Sequence, residues 1–297
     1  MKPSKFKYLK PSSVNEALTY LEEYGDDCKI ISGGQSLIPV LNMRLSTPDF
    51  LIDVSGIKEL NYIREEDGYI AIGALTRHVE VENSLLIKEK CPLLIDAIKW
   101  VGHKQIRNRG TIGGSVAHGD PSAELPCVLT TLRGEIVIAS VDEEEVVGPE
   151  DFFLTYLLTS LQTNQLVKEI RFPIMTQGER VGHSFVEVAR RHGDFGLAIA
   201  AAVIELDNQG LIQKAQLAVG GVNPVPLIIE EAEELLIGKE VTEALLKEIA
   251  ELTSECVDPE GDLHGSADYR RELIGTLLKR AIEEAIARAW EGEEKVG

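Results

Sequence analysis

Residues 105–126 read QIRNRGTIGGSVAHGDPSAELP, a run of glycine, arginine and small polar side chains centred on Thr111-Ile112-Gly113-Gly114-Ser115. Such a stretch has too few large side chains to build a core of its own, so it reads as backbone laid against a ligand. A second glycine doublet stands upstream, in Ser32-Gly33-Gly34-Gln35-Ser36. Glycine permits unusual φ/ψ values and close approach to a ligand, and successive N–H groups in a turn form an anion-binding concavity. One doublet alone is as readily a tight turn. Two of them, each offering unhindered N–H groups beside Ser or Thr, suit a ligand with two phosphates. Neither fits Gly-x-Gly-x-x-Gly and no Gly-x-x-x-x-Gly-Lys occurs, which disfavours Rossmann and P-loop readings. What remains is a pyrophosphate gripped by two loops from two subdomains.

The elements around the doublets follow from local pattern. Ser13-Val14-Asn15-Glu16 is a capping box, followed by Ala17, Leu18 and Leu21 at helical spacing and a stop at Gly25. Cys28 to Ile31 reads as a buried strand feeding the first doublet, Leu37 to Leu45 as a short helix after it, and Asp49 to Val54 as a second strand. Two strands flank the turn Glu66-Asp67-Gly68. Thr76 is expected to cap a helix through Val81, and Pro92 to Val101 to form another with Leu94, Ile95, Ile98 and Val101 on one face. After the second doublet, Pro121 to Leu132 reads as helix, and Glu135 to Ser140 and Leu166 to Phe172 as strands. This middle region is α+β rather than a chain of βαβ repeats. The polar stretch Pro173 to Gly182 is the expected seam. Beyond it come three strands, His183 to Arg190, Ala198 to Leu206 and Ile212 to Val219, with a hairpin at Asn208 to Gly210. Two amphipathic helices are expected to close the chain, the last with the apolar stripe Leu273, Leu277, Leu278, Ala281, Ile282, Ala285, Ile286 and Ala289.

Composition narrows the function classes. The chain has 297 residues, 44% hydrophobic, enough for more than one domain. Forty-nine Asp and Glu against 30 Lys and Arg give a formal charge of −19, a field that repels polyanions and speaks against nucleic-acid binding. The longest apolar runs are too short to span a bilayer, and the start Met1-Lys2-Pro3-Ser4-Lys5 has no apolar signal core, so a cytoplasmic location without a transmembrane segment is expected. Cys28, Cys91, Cys127 and Cys256 are far apart and encode no iron–sulfur or zinc site; buried free thiols are expected. His118 and Asp120 lack the further ligands a metal would need. Arg107, Arg109, Arg190 and Arg191 stand out against the acidic background.

The two doublets, the TIGGSVAHGDPSAELP run and the later Glu187-Val188-Ala189-Arg190-Arg191-His192-Gly193-Asp194-Phe195 resemble the FAD-binding medium subunit of the molybdenum hydroxylases, the family of aerobic-type carbon monoxide dehydrogenase and of the flavin segment of xanthine dehydrogenase. The resemblance covers essentially the whole chain. It implies a two-subdomain FAD-binding domain of the p-cresol methylhydroxylase and vanillyl-alcohol oxidase type at 1–176, with subdomains of about 1–57 and 58–176. A smaller C-terminal α/β domain, a three-stranded antiparallel sheet with helices, would fill 177–297. It places Ile30, Ile31, Ser32, Gly33, Gly34, Gln35, Ser36 and Leu37, with Thr111, Ile112, Gly113, Gly114 and Ser115, around the FAD pyrophosphate and ribityl chain. Glu124 would accept ribose hydroxyls near the adenosine. Val101, Val167 and Val186 would contact FAD, Phe195 would lie near the isoalloxazine ring, and Arg190 would stabilise negative charge on the reduced flavin. No residue is implied as an acid or base catalyst.

The same resemblance implies an electron-transfer subunit of a hetero-oligomer. Electrons would come from a molybdenum-cofactor large subunit through a small subunit with two [2Fe–2S] clusters, pass through FAD, and leave to NAD, a quinone or another external acceptor. The chain carries neither iron–sulfur cysteines nor a molybdenum domain, and lacks the cysteine-rich insertion of the 4-hydroxybenzoyl-CoA reductase branch. Two other readings share the flavin fold: a self-sufficient reductase resembling UDP-N-acetylenolpyruvylglucosamine reductase, and a non-catalytic scaffold.

Overall fold

The computed structural model describes residues 1–175 and 180–294; part of the expected seam, 176–179, lies outside the described residues, as do 295–297. The chain opens with β1 (Lys7–Leu9), α1 (Val14–Tyr24), β2 (Cys28–Ile31), α2 (Leu37–Asn42) and β3 (Phe50–Asp53). The strands form a parallel sheet in the order β1-β3-β2, with Cys28 opposite Phe50 and Ile30 opposite Ile52. Helix α1 forms for the expected reasons: the Ser13 hydroxyl accepts the Glu16 N–H, and Gly25, at φ +46°, ends it. The return half of the capping box differs, because the Glu16 carboxylate takes the N–H and hydroxyl of Ser12. Ala17, Leu18 and Leu21 pack with Ile52 and Leu75 in one small core.

The second unit is a five-stranded antiparallel sheet, in the order β4 (Ile63–Glu66), β5 (Tyr69–Gly73), β10 (Leu166–Pro173), β6 (Glu135–Ala139) and β7 (Glu144–Val147). Between β5 and β6 run α3 (His78–Asn83), α4 (Leu85–Lys90), α5 (Pro92–Ile98), α6 (Lys104–Arg107), α7 (Ile112–His118) and α8 (Glu124–Thr131). Between β7 and β10 lie α9 (Pro149–Phe152) and the hairpin β8 (Phe153–Thr155) and β9 (Leu158–Thr159). Thr76 does not cap α3. Its hydroxyl donates to the Tyr62 carbonyl and accepts the Tyr62 N–H, which fastens the end of β5 to the chain before β4, and the helix starts two residues later. The helix expected from Pro121 starts at Glu124, because the Asp120 carboxylate takes the Ser122 N–H and holds a turn there.

The C-terminal sheet has the expected long strands, β11 (Val181–Ala189), β12 (Gly196–Leu206) and β13 (Ile212–Gly220), plus a two-residue edge strand, β14 (Leu227–Ile228). Three helices follow rather than two: α10 (Glu230–Leu236) forms within the acidic run before α11 (Glu243–Cys256) and α12 (Ala267–Glu294). The small apolar sequence of β12 is explained by burial on both faces. Ile199, Ala201 and Val203 join the core of the five-stranded unit, while Ala198, Ala200, Ala202 and Ile204 face the helices of the C-terminal domain. Leu277, Leu278, Ala281, Ile282, Ala285 and Ala289 of the α12 stripe are fully buried there. Helix α8 is buried at every residue, since it is held between α5 and strands β12 and β13. The four cysteines are free, three of them buried. Among the described residues no helix is long and apolar enough to cross a membrane.

Candidate functional site

The parallel sheet, the five-stranded unit and the C-terminal domain enclose a cavity of about 1010 Å³. The first doublet enters it from the end of β2. Gly34 sits at φ +72°, a conformation that disfavours any side chain, and it turns the chain toward α2. Gly33 lies so close to Arg109 and Gly110 that a Cβ would strike their backbone. The two doublets, far apart in sequence, therefore touch. The Ser32 hydroxyl is 3.0 Å from that of Thr111, and a Cβ on Gly114 would lie 2.8 Å from the first and 2.7 Å from the second.

The two doublets differ in what they offer. Among the described residues, none accepts a hydrogen bond from the N–H groups of Gly33, Gly34, Gln35 or Ser36. The second doublet is not an open loop: it is the first turn of α7, with Thr111 as its cap. Its amides are already engaged, Ile112 with the Thr76 carbonyl, Gly113 with Ala74, Gly114 with the Thr111 hydroxyl and Ser115 with the Thr111 carbonyl. The expectation of free donors in both doublets is therefore corrected. Folding α7 onto the end of β5 consumes them, and Gly113 is glycine because Ala74 occupies the space of its side chain. The second doublet contributes hydroxyls instead, and its missing side chains let Ala74, Ser32 and Thr111 pack against it.

Of the residues expected at the ligand, Ile30, Ser32 to Leu37, Val101, Thr111, Gly113 to Ser115, Glu124, Val167, Arg190 and Phe195 line the cavity. Ile31 and Ile112 do not. Ile112 is fully buried in the core of the five-stranded unit, and the Ile31 side chain packs against Gly34. Val186 is also misplaced by the sequence reading, since it packs on the C-terminal core. Phe195 is 66% exposed at the cavity, on the connection from β11 to β12. Arg107 binds the Glu82 carboxylate through Nε at 3.0 Å and Nη2 at 3.2 Å, and donates to the Val101 and Gly102 carbonyls, so it braces the loop before α6. His118 and Asp120 both line the cavity, with 4.0 Å between Nε2 and Oδ2.

Several wall residues escaped sequence reading. His78, 4% exposed, has both ring nitrogens buried without a hydrogen-bond partner, and burial holds it neutral, its pKa pushed down to about 4. Leu166 and Gln165 arrive with the start of β10, Gly193 and Asp194 with the β11–β12 connection, and His264 from the loop before α12. Nothing local marks Leu166, Gln165 or His264, whereas Gly193 and Asp194 fall within the Glu187 to Phe195 motif without having been assigned to the ligand. Glu124, 7% exposed in the first turn of α8, is raised to about 7 by burial, with Asp120 adding to the rise and Arg107 opposing it. Among the described residues no group of three His, Cys, Asp or Glu is placed to hold a metal ion.

The cavity fits a dinucleotide of the FAD type. It is of suitable volume, it has unengaged amides for an anion, the hydroxyl residues Thr111 and Ser115 in its lining, and apolar walls at Val101, Val167 and Leu197. Fold and site together define a flavoprotein with an FAD-binding domain and a C-terminal domain. Residues 4–175 match the family model described as FAD binding domain in molybdopterin dehydrogenase, and 183–285 match the CO dehydrogenase flavoprotein C-terminal domain. The chain is 39% identical to the 6-hydroxypseudooxynicotine dehydrogenase complex subunit alpha of Paenarthrobacter nicotinovorans, over 97% of each chain. It is 37% identical to the glyceraldehyde dehydrogenase medium chain of Sulfolobus acidocaldarius, over 96% of this chain and 99% of that one. Among solved structures, the carbon monoxide dehydrogenase of Hydrogenophaga pseudoflava superposes with a TM-score of 0.93 at 35% identity, over 97% of this chain and 99% of the other. The chain thus belongs to the FAD-binding subunits of the molybdopterin dehydrogenases, a family of oxidoreductases.

Proposed function

We propose that the chain is the electron-transfer subunit of a multi-subunit molybdenum hydroxylase. It would receive electrons from [2Fe–2S] clusters on a small subunit, supplied by a molybdenum-cofactor large subunit, and release them to an external acceptor such as NAD or a quinone. The observation that carries the reading is the contact between the two doublets, with the free amides of Gly33 to Ser36 on one side and the Thr111 hydroxyl, against Gly114, on the other. In this reading those amides and the Ser32, Ser36, Thr111 and Ser115 hydroxyls hold the pyrophosphate. Glu124 meets the ribose hydroxyls, and Val101 and Val167 exclude water from the rings. Arg190 and Phe195 stand at the part of the wall where negative charge would be met. FAD, when bound, supplies a redox centre that accepts electrons singly or in pairs. Its binding site would lie between subdomains at about 1–57 and 58–176, with 177–297 closing it.

Metal analysis of the intact native complex tests the reading. Molybdenum and iron together with FAD are expected; their absence would overturn it. Oxidation of NADH by the purified chain alone would instead favour a self-sufficient reductase, and a chain that acquires no flavin spectrum with added FAD would favour a scaffold.

A further inference from the structure

One buried group has no place in the function just proposed. Glu187, 5% exposed on β11, has no hydrogen-bond partner at either carboxylate oxygen. Its side chain shares a sheet face with Phe185, two residues earlier, which belongs to the core around α8, whereas Val186 and Val188 face the opposite core. On that face lies the first turn of α8, with Glu124 in the cavity wall. Cys127 stands one turn further along the same helix face, its thiol pushed up to about 12 by burial. Gly196 lies beside the carboxyl, since a Cβ there would sit 3.4 Å from the Glu187 Cδ, with Ile199 taking the rest of that space.

Among the described residues Glu187 has no counter-ion: on its own strand His183 faces Asp96 of α5, Arg288 of α12 binds that same Asp96, and Arg270 of α12 is committed to the Leu197 and Gly221 carbonyls and to Asp262. From α8 come Glu124 and Cys127; beyond Glu124 stand Asp120, with His118 at 4.0 Å, and Arg107, which is committed to Glu82. A lone buried carboxylate costs far more than its neutral acid, so the group keeps its proton. Burial and the neighbouring Glu124 both act in that direction, raising Glu187 to about 9.

We infer that Glu187, buried without a partner behind Glu124 of the cavity wall, holds a proton, and that the charge of this carboxyl pair couples FAD affinity to pH. The coupling rests on the flavin reading above; the presence of the proton does not. With the proton in place the pair carries at most one negative charge beside an anionic dinucleotide. When it leaves, a second charge appears at the low-dielectric wall, and binding weakens.

Infrared difference spectroscopy of the full chain at about pH 7 tests the proton itself. A protonated carboxyl band is expected that is lost in Glu187→Gln; a band unchanged in the variant, or missing in the parent, would overturn the proposal. Glu187→Met, which needs no hydrogen-bond partner, is a second variant should the first not fold, and the band should vanish there too. Titration of the flavin-free chain with FAD then tests the coupling. Affinity should fall about tenfold between about pH 6 and about pH 9, and fall less steeply in either variant, where Glu124 alone titrates. Equal slopes in parent and variants would overturn the coupling. Failure to bind FAD at any pH would overturn both the coupling and the flavin reading, while the infrared band would still decide the proton.

Discussion

The two glycine doublets look alike as sequence, and the fold uses them in opposite ways. At the first, the chain has just left an exposed end of a three-stranded sheet, so Gly33 to Ser36 have no neighbouring carbonyl to satisfy them and stay available to a ligand. At the second, the chain begins a helix packed on the end of β5, and Ala74 and Thr76 take the amides before any ligand can. A glycine-rich motif can thus serve by its donors or by its missing side chains. Which one it does depends on the strand beside it.

The sharpest way to break this contrast is to fill the first loop. Gly33→Ala pushes a methyl into the Arg109 carbonyl, separates the loops and misplaces several donors at once; FAD affinity measured by fluorescence titration should fall by about 100-fold or more. Gly113→Ala acts on the other side of the contrast, since its methyl meets Ala74 rather than the cavity. Denaturant unfolding should show about 1–3 kcal/mol of lost stability, with FAD affinity of the folded fraction little changed. If Gly113→Ala instead cost binding without stability, the assignment of the two doublets would be reversed.

Alkali acts on the second region through two buried carboxyls. Glu124 and Glu187, behind it, are raised in the folded chain from 4.5 to about 7 and about 9, so the folded state binds protons that the unfolded chain has already released. The stabilising proton uptake is therefore complete below about 4.5 and is lost as pH rises through the folded values. Glu187→Gln lacks its share of that loss. In thermal melts it should overtake the parent chain as pH rises, by a few degrees near about pH 9. The smallest effect is expected at the junction of the loops. Ser32→Ala removes one hydroxyl contact to Thr111, and FAD affinity should drop by about fivefold, corresponding to about 1 kcal/mol.

Much of this was legible before the fold was known, and the limits have a common cause. Strand β2 falls at its expected residues, because charged Asp27 and the Ser32-Gly33 turn bound four residues of strand-forming character. Glu124 was legible through the family resemblance of the TIGGSVAHGDPSAELP run, and it lines the cavity. The engagement of the Ile112 and Gly113 amides was not, because their acceptors sit on a segment that ends 35 residues earlier and meets them only through tertiary packing. Val186 failed for another reason: its place came from the family resemblance, and on β11, which sends Phe185 to one core and Val186 to the other, a match one residue out reverses the face. His78 gives no local signal either, since its burial depends on Gly110, whose bare Cα leaves the ring its space.

Amide hydrogen exchange of the full chain, with and without FAD, reads the contrast at its source. The N–H groups of Gly33 to Ser36 should exchange fast in the free chain and become strongly protected when FAD is added, whereas those of Ile112 to Ser115 should be protected from the start and change little. Protection appearing only at Ile112 to Ser115, with Gly33 to Ser36 unaffected, would contradict the division of labour between the two doublets.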